Sequence, residues 1–320
     1  MADLTHDRIP AGATRRRVAV LGSPIAHSLS PALHTAAYGV LGLDWEYTAV
    51  EVAAGELDAF LETLTPDWVG LSLTMPLKHE IQPRLADVDR LATLTGAVNT
   101  VLFGDGAPGA PRILTGYNTD VPGLVRALAE AGTDRAAHVT LLGAGATAAS
   151  ALVAAAELGA ETVDVIARTP ARAAGLVDLG RQLGLVVTVS ALSAVTAADR
   201  VSDLVISTMP GDAALPGEFP AMLRASTPLF DVGYAPWPTA LASSWTAAGG
   251  RASSGRTMLL HQALVQIRIF VGNDPFLPLP DEDAVLLAMR AALPDGTADG
   301  AHDSTPDGAP GPGPGRAVEG

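Results

Sequence analysis

Of the twenty lysine and arginine residues in this chain, nineteen are arginine and one is lysine, Lys78. Chance survival in GC-rich coding accounts for the count on its own, yet an ammonium does what a guanidinium cannot: it is a compact charge able to give up a proton. Lys78 closes the run Thr74-Met75-Pro76-Leu77-Lys78, directly after an apolar stretch. Ser28-Leu29-Ser30 places two hydroxyls on one side of an extended segment, and Asn99-Thr100 and Asn118-Thr119-Asp120 flank two further extended segments. Each cluster has a plain structural reading: Ser30 as a helix cap, Asp120 as the cap of the next helix, Asn99 as a turn residue. Together they offer hydroxyl, amide, ammonium and carboxylate groups with no metal-ligand pattern, a set that suits a small polyhydroxylated substrate.

A second constellation follows the apolar run Val139–Leu142: Gly143-Ala144-Gly145-Ala146-Thr147-Ala148, opening an alanine-rich helix. In a strand–turn–helix context the first glycine permits the tight turn, and the second lets backbone N–H groups approach a pyrophosphate. A small residue at the third position allows close helix–strand packing. The alternative is a tight turn without a ligand. The next strand, Thr162–Ile166, ends in Ala167-Arg168-Thr169, with Arg172 one turn on. Two guanidiniums and a hydroxyl suit the 2′-phosphate of NADP, because arginine grips phosphate oxygens in a fork. Asp164, the carboxylate that would favour NAD, lies too early in the strand to reach the ribose.

Alternating elements must position these groups. Val18–Leu21 reads as a buried strand and Ser30–Leu41 as a helix with Ser30 as cap and Pro31 in its first turn. Trp45–Val50 is a strand, Gly55–Leu64 a helix, Trp68–Thr74 a strand, and a helix is expected after Lys78. Val98–Phe103 and Arg112–Gly116 read as a hairpin around a Gly/Pro-rich turn. From Asp120 a second series runs helix Val121–Ala131, strand Val139–Leu142, helix Thr147–Leu158, strand Thr162–Ala167, helix Ala171–Leu183, and strands Val186–Val189, Leu204–Ser207 and Leu229–Val232. That rhythm predicts a parallel sheet covered on both faces, hence an α/β protein. Helices near Met258–Val271 and Asp283–Leu293 close the ordered part, and residues 1–15 and 295–320 are expected to be disordered.

The composition narrows the partners. A net charge of −14 disfavours nucleic acid and acidic membrane surfaces. No apolar run is long enough to span a bilayer or to form a signal-peptide core, and with no cysteine there are neither disulfides nor thiolate metal sites. A cytoplasmic protein, monomeric or homodimeric, is the expectation.

Six ordered motifs carry a family resemblance. Gly22-Ser23-Pro24-Ile25-Ala26-His27-Ser28-Leu29-Ser30-Pro31, Gly70-Leu71-Ser72-Leu73-Thr74-Met75-Pro76-Leu77-Lys78, Ala97-Val98-Asn99-Thr100, Gly116-Tyr117-Asn118-Thr119-Asp120, Asp231-Val232-Gly233-Tyr234 and Met258-Leu259-Leu260-His261-Gln262-Ala263 resemble those of the shikimate dehydrogenases over residues 17–293. The resemblance implies an N-terminal α/β substrate-binding domain over 16–118, a Rossmann NADP-binding domain over 119–255, and C-terminal helices over 256–294 that return to the substrate domain. It implies that Ser28 and Ser30 hold a substrate carboxylate, that Thr74, Asn99, Asp120 and Gln262 hold ring hydroxyls, and that Lys78 and Asp120 form the reactive pair. Tyr234 would lie near the carboxylate or the cofactor cleft. The reaction implied is NADPH-dependent reduction of 3-dehydroshikimate, with quinate or aminoshikimate dehydrogenase, or an inactive nucleotide-binding regulator, as rivals. The chain departs from the family pattern at Ser72 (often Asn), Ala146 (often Gly), Ala149 (often Arg), Ala167, Ser207-Thr208 and Arg256-Thr257, mainly around the cofactor.

Overall fold

The computed structural model describes residues 15–104, 112–197 and 200–294. Two six-stranded sheets organise it. The first comprises β1 (Arg16–Gly22), β2 (Trp45–Glu51), β3 (Trp68–Leu73), β4 (Asp87–Val88), β5 (Thr100–Phe103) and β6 (Leu114–Tyr117), in the order β2-β1-β3-β5-β6-β4. β1 runs parallel to both β2 and β3, while β5 is antiparallel to β3 and to β6. The hairpin read from the sequence is therefore present, and it makes this sheet mixed. Its turn lies outside the described residues.

Alternation along β1 sends Val18 and Val20 to one face and Ala19 and Leu21 to the other, and both faces are buried. Helix α1 (Ser30–Leu41) covers the first face together with the two last helices, α9 (Arg256–Gly272) and α10 (Glu282–Ala291). The opposite face is closed by Leu57 of α2 (Leu57–Glu62), by Leu77 and Ile81, and by Ala92 of α3 (Arg90–Thr95). Asp89 caps α3, its carboxylate accepting from the Ala92 N–H at 2.6 Å. Two sequence expectations are corrected here. The segment after Lys78 is not an α-helix but a series of turns ending in a short 3-10 turn at Gln82–Arg84, where Pro83 leaves an N–H missing. Ser30 does not cap α1: Leu29 occupies the cap position and no side chain caps the helix.

The second sheet is wholly parallel. It holds β7 (His138–Leu142), β8 (Thr162–Ala167), β9 (Val186–Ala191), β10 (Leu204–Ser207), β11 (Leu229–Asp231) and β12 (Ala252–Ser254), in the order β12-β11-β10-β7-β8-β9. This is the doubly wound order in which the first strand sits centrally and its direction of winding reverses beside β10, the place where such sheets open a crevice for ligands. Helices α4 (Asp120–Glu130), α5 (Ala146–Glu157) and α6 (Ala174–Leu183) pack one face through Leu124, Leu128, Leu152 and Leu176. On the other lie Phe219, Leu223 of α7 (Ala221–Ser226), and Trp245 of α8 (Ala240–Ala247). Helices α7 and α8 and strand β12 were not foreseen from the sequence. Gly123 lets α4 and α9 touch backbone to backbone: a Cβ there would stand 2.8 Å from the Gln262 nitrogen.

Candidate active site

Two cavities meet between the sheets. One, of about 490 Å³, is lined by Ser28, Ser30, Thr74, Lys78, Asn99, Asp120, Tyr234 and Gln262, so every proposed substrate residue borders one space. The other, of about 730 Å³, runs along Gly143–Ala148 to Arg168, Thr169 and Arg172. Thr74, Met75, Lys78, Thr147 and Thr208–Pro210 border both.

The ends of β1 and β3 build the first cavity. Gly22 allows their close approach, since a Cβ would meet Thr74 Cγ2 at 2.4 Å and the Met75 oxygen at 2.7 Å. Thr74 N–H donates to Leu21 O and Ser23 N–H to Met75 O, pinning the two exits together. The loop leaving β1 is tied to β2 through Glu51, which accepts from Ser23 Oγ at 2.5 Å and from the Ile25 N–H at 3.0 Å. It delivers Ser28, half-buried, and Ser30, buried, to the cavity. Ser28 Oγ accepts from the Ser30 N–H at 3.4 Å.

Lys78 Nζ donates to Asp120 Oδ2 at 2.6 Å, with both side chains largely buried. Asn99 donates from Nδ2 to the other Asp120 oxygen at 2.8 Å and to Thr119 Oγ1 at 2.9 Å. Its own Oδ1 accepts from the Thr119 N–H and the Thr100 hydroxyl. A buried ion pair needs such further hydrogen bonds to offset the loss of hydration. Asp120 is the first residue of α4, and Thr119, not Asp120, holds the cap position. Asn118 supplies the missing acceptor: its Oδ1 takes the N–H groups of Asp120 and Val121, while Nδ2 reaches Thr95, Ala97 O and Ser150. Asn118 thus fixes the start of the helix that carries the acid.

Gln266 is the residue that sequence reasoning missed. It is 2 % exposed and spends its whole amide inside the protein. Oε1 accepts from Ser72 Oγ at 2.9 Å and from His34 Nε2 at 3.3 Å; Nε2 donates to Asn99 O and to Thr100 Oγ1. Tyr47 donates to Ser72 at 2.8 Å and stacks on His34 at 3.8 Å between ring centroids. Burial pushes the His34 imidazole down to about 3, against the opposing hydrogen bond to Gln266, so the ring is neutral and Nδ1 accepts from Tyr38. Burial raises the Tyr47 phenol, against hydrogen bonds to Ser72 and Ser30. The signal was available: a glutamine four residues beyond Gln262, on the same side of a largely apolar helix. By contrast, among the described residues the Gln262 side chain is held only by its donation to Leu259 O at 2.8 Å, and Tyr234, its phenol raised by burial, has no hydrogen bond.

The second cavity fits a dinucleotide. Gly143 sits at φ +110, where a Cβ would stand 2.3 Å from Thr208 Oγ1, and the Gly145 α-carbon faces open space. Ala146 and Thr147, the first residues of α5, line this cavity, and the N–H groups of a helix's first residues have no carbonyl partner within the helix, as an anion site requires. Arg168 and Arg172 are exposed and have no ion-pair partner among the described residues. Asp164 is engaged elsewhere: it accepts from Arg200 at 2.9 Å and from Thr188. Among the described residues no cluster of three or more His, Asp or Glu side chains could hold a metal, and no helix is long and apolar enough to cross a membrane.

Comparison with known proteins gives concordant results. A model of the shikimate dehydrogenase substrate binding domain matches residues 20–101. The shikimate dehydrogenase (NADP(+)) of Methanothermobacter thermautotrophicus is 33% identical, the match covering 82% of this chain and 93% of that one. That of a Geobacter species is 36% identical over 81% and 91%. Among solved structures, the Mycobacterium tuberculosis shikimate dehydrogenase is 40% identical with a TM-score of 0.72, covering 86% of this chain and 99% of that one. The Thermus thermophilus shikimate 5-dehydrogenase, solved in complex with NADP(H) and shikimate, is 32% identical with a TM-score of 0.70, over 87% and 100%.

Proposed function

The chain belongs to the shikimate dehydrogenase family, and we propose that it catalyses the reversible NADPH-dependent reduction of 3-dehydroshikimate to shikimate, a step toward chorismate and the aromatic amino acids. The observation that carries this reading is the Lys78–Asp120 pair standing where the polar cavity and the glycine-lined cavity share a border. We assign residues 16–118 to the substrate domain, 119–255 to the cofactor domain, and 256–294 to helices that complete the former. The packing of α9 and α10 against β1 and α1 supports that division.

NADPH, held along Gly143–Thr147, would supply the hydride that the ketone carbon takes up. Negative charge then grows on the ketone oxygen, and Lys78, at the junction, meets it with an ammonium that stabilises the alkoxide and donates the proton. Asp120 keeps the ammonium aimed, and Asn99 keeps Asp120 aimed. Ser28 and Ser30 bind the ring carboxylate, whose charge does not change; Thr74 and Gln262 take ring hydroxyls, and Tyr234 closes the cavity near Gly233 and Met258. Gly143, Ala144, Gly145, Ala146 and Thr147 receive the pyrophosphate, with Arg168, Thr169 and Arg172 on the 2′-phosphate.

Initial rates with 3-dehydroshikimate and NADPH or NADH, and in reverse with shikimate or quinate, test the proposal. Turnover of 3-dehydroshikimate with NADPH is expected. Absence of that activity, or faster NAD-linked turnover of quinate, would overturn it.

A further inference from the structure

The two walls of the cofactor cleft differ in chemistry. On the Rossmann side, Gly143 through Ala148 carry no charged side chain, and the lining cations Arg168 and Arg172 stand beyond β8; Asp212 is the one carboxylate on that wall. A pyrophosphate lying along the glycine turn would therefore meet backbone N–H groups and the Thr147 and Thr208 hydroxyls from that side, but no cation. The facing wall is Thr74, Met75, Pro76, Lys78 and His79, contributed by the first sheet's side of the molecule. Lys78 is committed to Asp120. On the same turn, Glu80 points away and accepts from the Gly55 N–H at 3.0 Å. Thr74 offers this wall a hydroxyl, and His79 is left as its one ionisable side chain without a charged partner among the described residues.

The His79 ring is already held in place. Nδ1 lies 2.6 Å from the Gly96 carbonyl oxygen, and since a carbonyl only accepts, Nδ1 carries a hydrogen. The Gln82 amide donates to the same oxygen, so the turn is braced from two positions. Nε2 has no partner among the described residues, and the ring is exposed at the cleft. With the Nδ1 hydrogen committed, Nε2 donates to an anion when the ring is an imidazolium, giving a charge-assisted hydrogen bond.

We propose that His79 binds the cofactor's pyrophosphate from across the cleft, so that the dinucleotide is gripped by both sheets rather than by the Rossmann side alone. This rests on the dinucleotide reading above. The test is calorimetric titration of the full chain, at about pH 6 where an imidazolium is well populated, with NADP⁺ and with NAD⁺, which share the pyrophosphate and differ in the 2′-phosphate. His79→Ala is expected to weaken both by about tenfold, the worth of one partly screened charge-assisted hydrogen bond. His79→Arg, which keeps a donor and a charge, is expected to restore both. If His79→Ala binds both as wild type does, or His79→Arg binds no better than His79→Ala, the proposal fails. Loss confined to NADP⁺ would place the histidine on the 2′-phosphate and overturn the pyrophosphate assignment. A wild-type chain that binds neither dinucleotide would sink the cofactor reading itself, a distinguishable result.

Discussion

Lys78 and Asp120 are 42 residues apart in sequence and 2.6 Å apart in space, one on the turn after β3 and the other at the first position of α4. The carboxylate's second oxygen is taken by Asn99, so the pair is oriented from both sides. Lys78→Ala is expected to lower kcat at least a hundredfold, because one electrostatic donor and a general acid each contribute about 10²–10³. Lys78→Arg is expected to rescue little, since a guanidinium is planar, bulkier and a poor proton donor. Near wild-type kcat in Lys78→Arg would show that position 78 needs only positive charge.

Arg168 stands at the far end of the glycine-lined cavity with no ion-pair partner among the described residues. Arg168→Ala should raise KM for NADPH well above any change for NADH, by an amount corresponding to roughly 1.5–3 kcal/mol if the contact is fully formed and less if solvent screens it. A wild-type enzyme that prefers NADH would contradict the assignment.

Ser28→Ala and Ser30→Ala are expected to raise KM for shikimate with a smaller effect on kcat, because the carboxylate they are proposed to bind keeps its charge through the reaction. Ser30 does not cap α1, so any stability that its alanine variant loses comes from the buried contact with Tyr47, about 1 kcal/mol, and should vanish in a Tyr47→Phe background. Unfolding midpoints alongside the kinetics check both halves. An unchanged KM in both variants would move the carboxylate site elsewhere.

His34 gives the fold a defined acid sensitivity. Burial lowers its pKa from 6.5 to about 3. Between those values the unfolded chain holds a proton there that the folded chain does not, so stability falls as pH drops through that window, by up to about 1.4 kcal/mol per unit from this group. Urea midpoints between pH 4 and 7 should slope less steeply in His34→Asn, whatever that variant's stability at pH 7. Equal slopes would mean the imidazole titrates normally in the folded protein.

Much of this was legible in the chain, for reasons that can be named. Strands β7, β8 and β10 are short apolar runs ending at Gly, Arg-Thr and Thr-Met, and helix α1 begins beside Pro31 and ends at Gly42, whose φ is +66. What escaped notice depends on partners distant in sequence. The role of Gln266 exists only because α9 returns beneath β3 and β5, and Asn118 is only one member of a polar cluster until Thr95, Ala97 and Ser150 are placed around it. Ser30 looked like a cap because Ser-Pro commonly opens helices, yet here the helix starts one residue earlier than a serine cap would allow. Helix α3 had its own signal in Asp89, capping Ala92, and was passed over between two short extended segments.

The return of α9 and α10 to the first sheet also sets an order of events at the ribosome. The strands β1–β6 are complete by residue 117, but Leu260, Leu264, Ile267, Val285 and Met289, which share a core with Val18, Val20, Leu33 and Val69, emerge only after 256. From 117 to 256 is 139 residues, and at about 5–20 residues per second synthesis of that stretch takes roughly 7–28 s. Throughout that interval the nascent first sheet has one face covered by α1 alone while the Rossmann unit, whose core is drawn mainly from residues 121–230, can fold ahead of it. The polypeptide thus finishes its second domain before its first, and the substrate cavity is the last part of the enzyme to exist.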